Sequence, residues 1–178
     1  MGVFTMLFGS YFGDFDCTNN FMRASLATGS TLTCAWAGRP NWVFHHMGLG
    51  ETIGFGTLLT MNNTGHYDPT NESPNRVHIN LIGDPSLRMT MMYPPGTVSC
   101  VSAGNTVNVS WGASSDAQLG YHVYRYDNST QNWVRRTTTA VTATTFADNV
   151  SGLSGTLRYM VKALKLQTTP SGTYYNLS

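Results

Sequence analysis

Two different hydrophobic rhythms divide the chain. In the first half, short unbroken apolar runs alternate with helix-like stretches. Val3–Phe8 is such a run, closed by Gly9, and its length and Gly stop predict a fully buried strand. Asn19 and Asn20 supply a side-chain cap for a helix running to about Ala27, because a short amide side chain can accept from the first free helical N–H groups. Thr31–Ala37 is a second β-branched, apolar run. Gly50–Met61 has helical character, weakened by its internal glycines. Val77–Ile82 reads as a third strand, ended by Gly83-Asp84-Pro85. Strand, helix, strand, helix, strand predicts a parallel α/β sheet with flanking helices. Three strands leave at least one sheet edge bare, which suggests that further strands upstream complete the same sheet.

The second rhythm is period two. Seven strand candidates follow one another: Val98–Val101, Val107–Trp111, Tyr121–Tyr126, Trp133–Thr137, Thr144–Phe146, Leu157–Leu166 and Thr173–Leu177. The alternations Val107/Val109/Trp111, Tyr121/Val123 and Tyr159/Val161/Ala163 put apolar side chains on one face. Seven short strands in the last half of the chain predict an all-β sandwich. The rhythm changes at Tyr93-Pro94-Pro95-Gly96, where two prolines can continue neither a helix nor a ladder. The expected domains are therefore residues 1–93 and 94–178.

Composition narrows the function. Of 178 residues, 41% are hydrophobic and 12% aromatic, while only 11% are charged, against about 25% in a typical soluble domain. That rules out a disordered chain. The formal net charge is +1, which argues against a nucleic-acid partner bound through phosphate neutralisation. Charge is divided unevenly. Residues 1–93 hold Arg23, Arg39, Arg76 and Arg88 against Asp14, Asp16, Glu51, Asp68, Glu72 and Asp84, and the remainder is +3. No apolar run approaches the roughly 18 residues of a membrane span. Cys17, Cys34 and Cys100 are too few and too scattered for a disulfide framework or a zinc site. No cofactor and no metal are expected. A surface made polar by Thr, Asn and Ser accords with a secreted or cell-surface protein.

Two resemblances follow from motifs. Residues 94–178 resemble a fibronectin type III module: Pro94-Pro95 at the start, Trp111 on the second strand, Gly120-Tyr121-His122-Val123-Tyr124-Arg125 on the third, and Leu153 through Tyr159 leading into Val161-Lys162-Ala163. The resemblance implies a tyrosine corner in which the Tyr159 hydroxyl bonds upstream backbone. It says little about function, since such modules usually act as spacers or docking surfaces. Residues 1–93 resemble the nucleophile-side half of the catalytic domain of gingipain-type, caspase-like cysteine peptidases. Gly9-Ser10-Tyr11-Phe12-Gly13-Asp14-Phe15 follows a strand as the family's Cys-x-x-Gly-Asp-Phe segment does. Asn20–Leu26 resembles the next helix, and Gly83-Asp84-Pro85-Ser86-Leu87 matches a signature near the end of that domain. The resemblance implies a polypeptide substrate or a surface protein as partner, together with the missing N-terminal half of the same domain.

The candidate chemistry is thin. Ser10 stands at the family's nucleophile position, and a hydroxyl is a weak nucleophile without a base. The family's His lies upstream of that strand, where this sequence has none. Cys17 stands near a helix start, which lowers a thiol pKa, and otherwise reads as a small semi-buried residue. Cys34 and Cys100 read as core. His45 and His46 are adjacent, so their side chains should diverge, and no partner stands at metal-ligand spacing. Glu51 reads as a cap or ion-pair residue, Asp84 as a turn former. Asp14 and Asp16, near Arg23 or Arg39, are candidates for an acidic pocket. The expectation is a peptidase-like fragment inactive by itself, or alternatively a non-catalytic adhesion protein on a pseudo-peptidase scaffold.

Overall fold

The computed structural model describes residues 2–9, 11–14, 16–37, 43–62 and 79–178. The chain divides into two compact units, Met1–Thr90 and Met91–Ser178. No helix among the described residues is long and apolar enough to cross a membrane.

The first unit runs β1 (Phe4–Phe8), α1 (Phe21–Leu26), β2 (Thr33–Ala37), a 3-10 turn (His45–Leu49), α2 (Ile53–Met61) and β3 (Ile79–Gly83). Asn20 starts α1: its side-chain oxygen accepts from the amides of Met22 at 2.9 Å and Arg23 at 3.2 Å, a cap worth about 1 kcal/mol. Thr52 starts α2 in the same way, accepting from the Phe55 amide at 3.0 Å. The cap is thus Thr52 and not the exposed Glu51 before it.

The sheet order is β1-β2-β3. β1 runs parallel to β2, from Phe4 opposite Thr33 to Phe8 opposite Ala37, so β1, α1 and β2 form one crossover unit. The fully parallel sheet expected from the sequence does not continue, because β3 is antiparallel to β2, with Gly83 opposite Thr33. The reason lies in how α2 is docked. Its first amides bond to the chain just past β3: Ile53 N–H to Leu87 O and Gly54 N–H to Pro85 O, both at 2.9 Å. The helix starts at the end of the sheet where β2 starts, so β3 must travel back. A core of Ala35, Phe44, Met47, Ile53 and Ile79, with Phe4, Leu81 and Leu87 against it, fills the space between α2 and the sheet.

β1 departs from the buried strand read from its composition. By register, Phe4, Met6 and Phe8 share a face with Ala35 and Ala37, the face that α2 covers. Yet Phe8 is 57% exposed and Met6 is 40% exposed. The core beneath α2 is drawn mainly from β2 and β3, so the far end of β1 emerges uncovered at the edge.

The second unit is an all-β sandwich of two antiparallel sheets. All seven strands anticipated from the sequence form: β4 (Val98–Ala103), β5 (Thr106–Trp111), β6 (Gly120–Asp127), β7 (Asn132–Arg135), β8 (Thr145–Asn149), β9 (Tyr159–Thr169) and β10 (Gly172–Leu177). One sheet has the order β4-β5-β8 and the other β10-β9-β6-β7, with every pairing antiparallel. The period-two positions Val107, Val109, Trp111, Tyr121, Val123, Val161 and Ala163 form the core, joined by Met92 and Val150. Met92 precedes the Pro94-Pro95 boundary read from the sequence, and the Tyr93 amide donates to Asp116 Oδ2 at 2.8 Å. The sandwich therefore begins before its prolines.

Candidate functional site

The carboxyl end of β1 is where the sequence put its candidate nucleophile. Ser10 itself lies outside the described residues, as does Arg39. The chain on either side is held firmly. The Trp36 indole N–H donates to Gly9 O at 2.7 Å, and the Asn20 and Asn80 side-chain amides donate to Phe12 O at 3.2 Å and Gly13 O at 3.4 Å. Gly13 is buried against the Trp36 ring: a Cβ there would lie 2.4 Å from Trp36 Cε3. Tyr11 has φ of 68°, a left-handed conformation uncommon outside glycine, and its side chain is exposed. Gly13 of the Gly-Asp-Phe motif is therefore a packing residue here, the seat of an indole.

The other first-unit candidates are dispersed. Asp14 and Asp16 are exposed. The Arg23 guanidinium donates to the Cys17 carbonyl. Cys17 is exposed rather than semi-buried, with Sγ 3.9 Å from Asp16 Oδ1. Cys34 is fully buried on β2, and burial raises its thiol pKa, offset in part by a hydrogen bond with Ser25. Asp84 makes the turn read from its sequence: Oδ1 accepts from the Ser86 amide at 2.8 Å and hydroxyl at 2.7 Å, which lowers its pKa.

His45 and His46 differ from expectation. Their rings do not diverge; the centroids are 4.0 Å apart at 35°, because the 3-10 turn carries both and the His46 and Phe55 rings form a T-shaped pair at 5.5 Å. His46 Nδ1 is buried without a hydrogen-bond partner. Among the described residues no group of three His, Cys, Asp or Glu could hold a metal ion.

In the second unit Cys100 was expected in the core. It is exposed, because β4 is an edge strand and its residues after Val98 lie at the rim. Tyr159 also departs from the expected corner. Its hydroxyl donates to Asp148 Oδ2 at 2.9 Å and not to upstream backbone, since a buried carboxylate is the stronger acceptor. Asp148 is 2% exposed and also binds Arg125 Nη1 and, at 2.9 Å, Arg136 Nε. Burial first, and the Asp148 bond second, push the Tyr159 pKa up to about 12. A readable signal for this network existed in the sequence. The alternation Tyr121/Val123/Arg125 aims a guanidinium at the core, and a buried guanidinium demands a buried acid.

His122 lies on β6 within the Gly120–Arg125 motif. It is buried, its Nδ1 shares a 2.9 Å hydrogen bond with Thr137 Oγ1, and burial together with the nearby Arg135 charge lowers its pKa. Also unrecognised in the sequence was an exposed aromatic and basic group: Trp133, Tyr126 and Arg158, the last lying 3.7 Å from the Tyr126 ring centroid.

No protein-family model and no curated protein matches this chain. Among solved structures, an Fn3-like protein from Clostridium thermocellum is similar at 24% identity over 49% of this chain and 92% of that one, with a TM-score of 0.36. Titin module A71 from human cardiac muscle is similar at 17% identity over 50% of this chain and 86% of the module, with a TM-score of 0.34.

Proposed function

We propose that this chain is a non-catalytic binding protein: an α/β unit of gingipain-like peptidase ancestry with an open sheet edge, joined to a fibronectin type III-like docking module and working in secreted form or at a cell surface. The observation that carries this reading is that, among the described residues, β1 is an edge strand. Parallel pairing aims the backbone N–H and C=O groups of alternate residues at opposite neighbours. Val3 O accepts from Leu32 at 2.9 Å, so Val3, Thr5 and Leu7 serve β2. Phe4, Met6 and Phe8 then turn their backbone groups outward, and Met6 and Phe8 also expose their side chains. Such an edge is a template for another polypeptide strand.

The second reading, a piece of a gingipain-like cysteine peptidase, draws on the same edge, because a preceding part of that domain would supply the missing strand and the catalytic His. Ser10 at the nucleophile position counts against activity in this chain either way. Arg- and Lys-containing fluorogenic peptides separate binding from catalysis. No turnover above background is expected, and turnover abolished by Ser10→Ala would overturn the non-catalytic reading.

A further inference from the structure

Asp-Pro pairs occur in the chain at Asp68-Pro69, outside the described residues, and at Asp84-Pro85, in the turn after β3. A proline nitrogen within the chain carries no hydrogen, so it cannot itself attack the neighbouring carboxyl. As a tertiary amide nitrogen it takes up a proton and departs more readily than an ordinary peptide nitrogen. An Asp-Pro bond is therefore vulnerable wherever the aspartate carboxyl is kept beside it. The fold keeps it there at Asp84. Its Oδ1 accepts from the Ser86 amide at 2.8 Å and the Ser86 hydroxyl at 2.7 Å, and the ring closed by the first of these bonds contains the Asp84–Pro85 bond itself. Residues 83–86 are all exposed, so water and acid reach the turn.

The backbone on both sides of the bond is fixed. The Asp84 amide donates to Leu32 O at 3.3 Å, Pro85 O accepts from the Gly54 amide at 2.9 Å, and Leu87 O accepts from the Ile53 amide at 2.9 Å. Gly83 has φ of 107°, and a Cβ there would overlap Leu32 O. Neither the entry to the turn nor its exit can swing away. A group confined beside the carbon it attacks reacts as if highly concentrated. Leu32, Thr33, Ile53 and Gly54, which touch the turn, are neutral, and the charged groups on the flanking segments are Glu51 and Arg88.

We propose that the Asp84–Pro85 peptide bond is a self-cleavage site that opens in mild acid and divides the chain into residues 1–84 and 85–178. A carboxylate oxygen of Asp84 bonds to the main-chain carbonyl carbon of the same residue. The C–N bond breaks, its electron pair stays on the Pro85 nitrogen, and a proton from the medium completes the amine. Asp84 is left as a cyclic anhydride, which water opens to two carboxyl groups. The step needs neither Ser10 nor a partner, so it stands apart from the binding reading above. Pro85 and Leu87 keep their bonds to α2 after the cut, so the pieces should separate on denaturation.

The full chain is held at about pH 4, near the ordinary aspartate pKa, and followed by mass spectrometry under denaturing conditions. A synthetic peptide of residues 79–90 is the unfolded reference. Products ending at Asp84 and beginning at Pro85 are expected, about tenfold or more faster from the chain than from the peptide. In heavy-oxygen water the label should enter the Asp84 side chain as well as its main-chain carboxyl, the mark of an anhydride. The rate should climb as pH falls and level off only below the ordinary aspartate range, because the Ser86 bonds lower the Asp84 pKa. Asp84→Ala should abolish cleavage and Ser86→Ala should slow it. Both side chains are exposed, and unchanged far-ultraviolet circular dichroism at the same pH verifies that each variant is folded. A chain cut no faster than the peptide, cleavage that survives Asp84→Ala, or label confined to the main-chain carboxyl would overturn the proposal.

Discussion

Single residues decide the local outcomes. Gly13 is a glycine because the Trp36 indole occupies the place a Cβ would take. Gly13→Ala must displace that ring and loosen its 2.7 Å bond to Gly9. A loss of about 1–3 kcal/mol from the first unit is expected, measured by urea denaturation followed through Trp emission. Tyr159 gives a second prediction. The folded chain favours the neutral phenol, whose pKa rises from 10 to about 12. Its contribution to stability is complete below pH 10 and drains away as pH climbs from 10 through about 12. An ultraviolet titration should find a tyrosine ionising near pH 12, and Tyr159→Phe should remove that step.

At the level of elements, β1 carries the most consequence. Substituting Phe8→Lys together with Met6→Thr puts polar groups where apolar ones meet water, so the fold should change by no more than about 0.5 kcal/mol. Residues 1–93 produced alone should self-associate as wild type and run as a monomer with both substitutions, as size-exclusion chromatography would reveal. A clean wild-type monomer would count against an open edge. Much of this level was legible in the sequence. Asn20 as a cap, the Asp84 turn and seven sandwich strands each follow from local chemistry or period-two alternation, and local rules survive folding. What escaped was set by distant partners. The direction of β3 depends on α2 docking against Pro85 and Leu87. The exposure of β1 depends on where α2 lies. Tyr159 chose Asp148 over backbone because Arg125 and Arg136 already anchor that carboxylate. At the candidate site, a Gly-Asp-Phe motif names a family pattern without revealing that its glycine is a seat for Trp36.

For the whole molecule, the division into Met1–Thr90 and Met91–Ser178 makes a prediction about where the sandwich can be cut. Met92 is part of its core, and Tyr93 is tied on both sides, its amide to Asp116 and its carbonyl to the Ser114 hydroxyl at 2.5 Å. Residues 91–178 should unfold as one cooperative unit, at least about 2 kcal/mol more stable than residues 94–178, the order of loss for removing a buried methionine. Equal thermal midpoints for the two fragments would contradict that anchoring. The Asp148 network extends this to mechanics. Its carboxylate sits on β8 in one sheet, while Arg125 and Tyr159 reach it from β6 and β9 in the other. Hydrocarbon layers slide over one another with little resistance, but parting a buried ion pair costs about 3–5 kcal/mol. The two layers are riveted near one end, so a pulling force that shears them meets a definite yield point there.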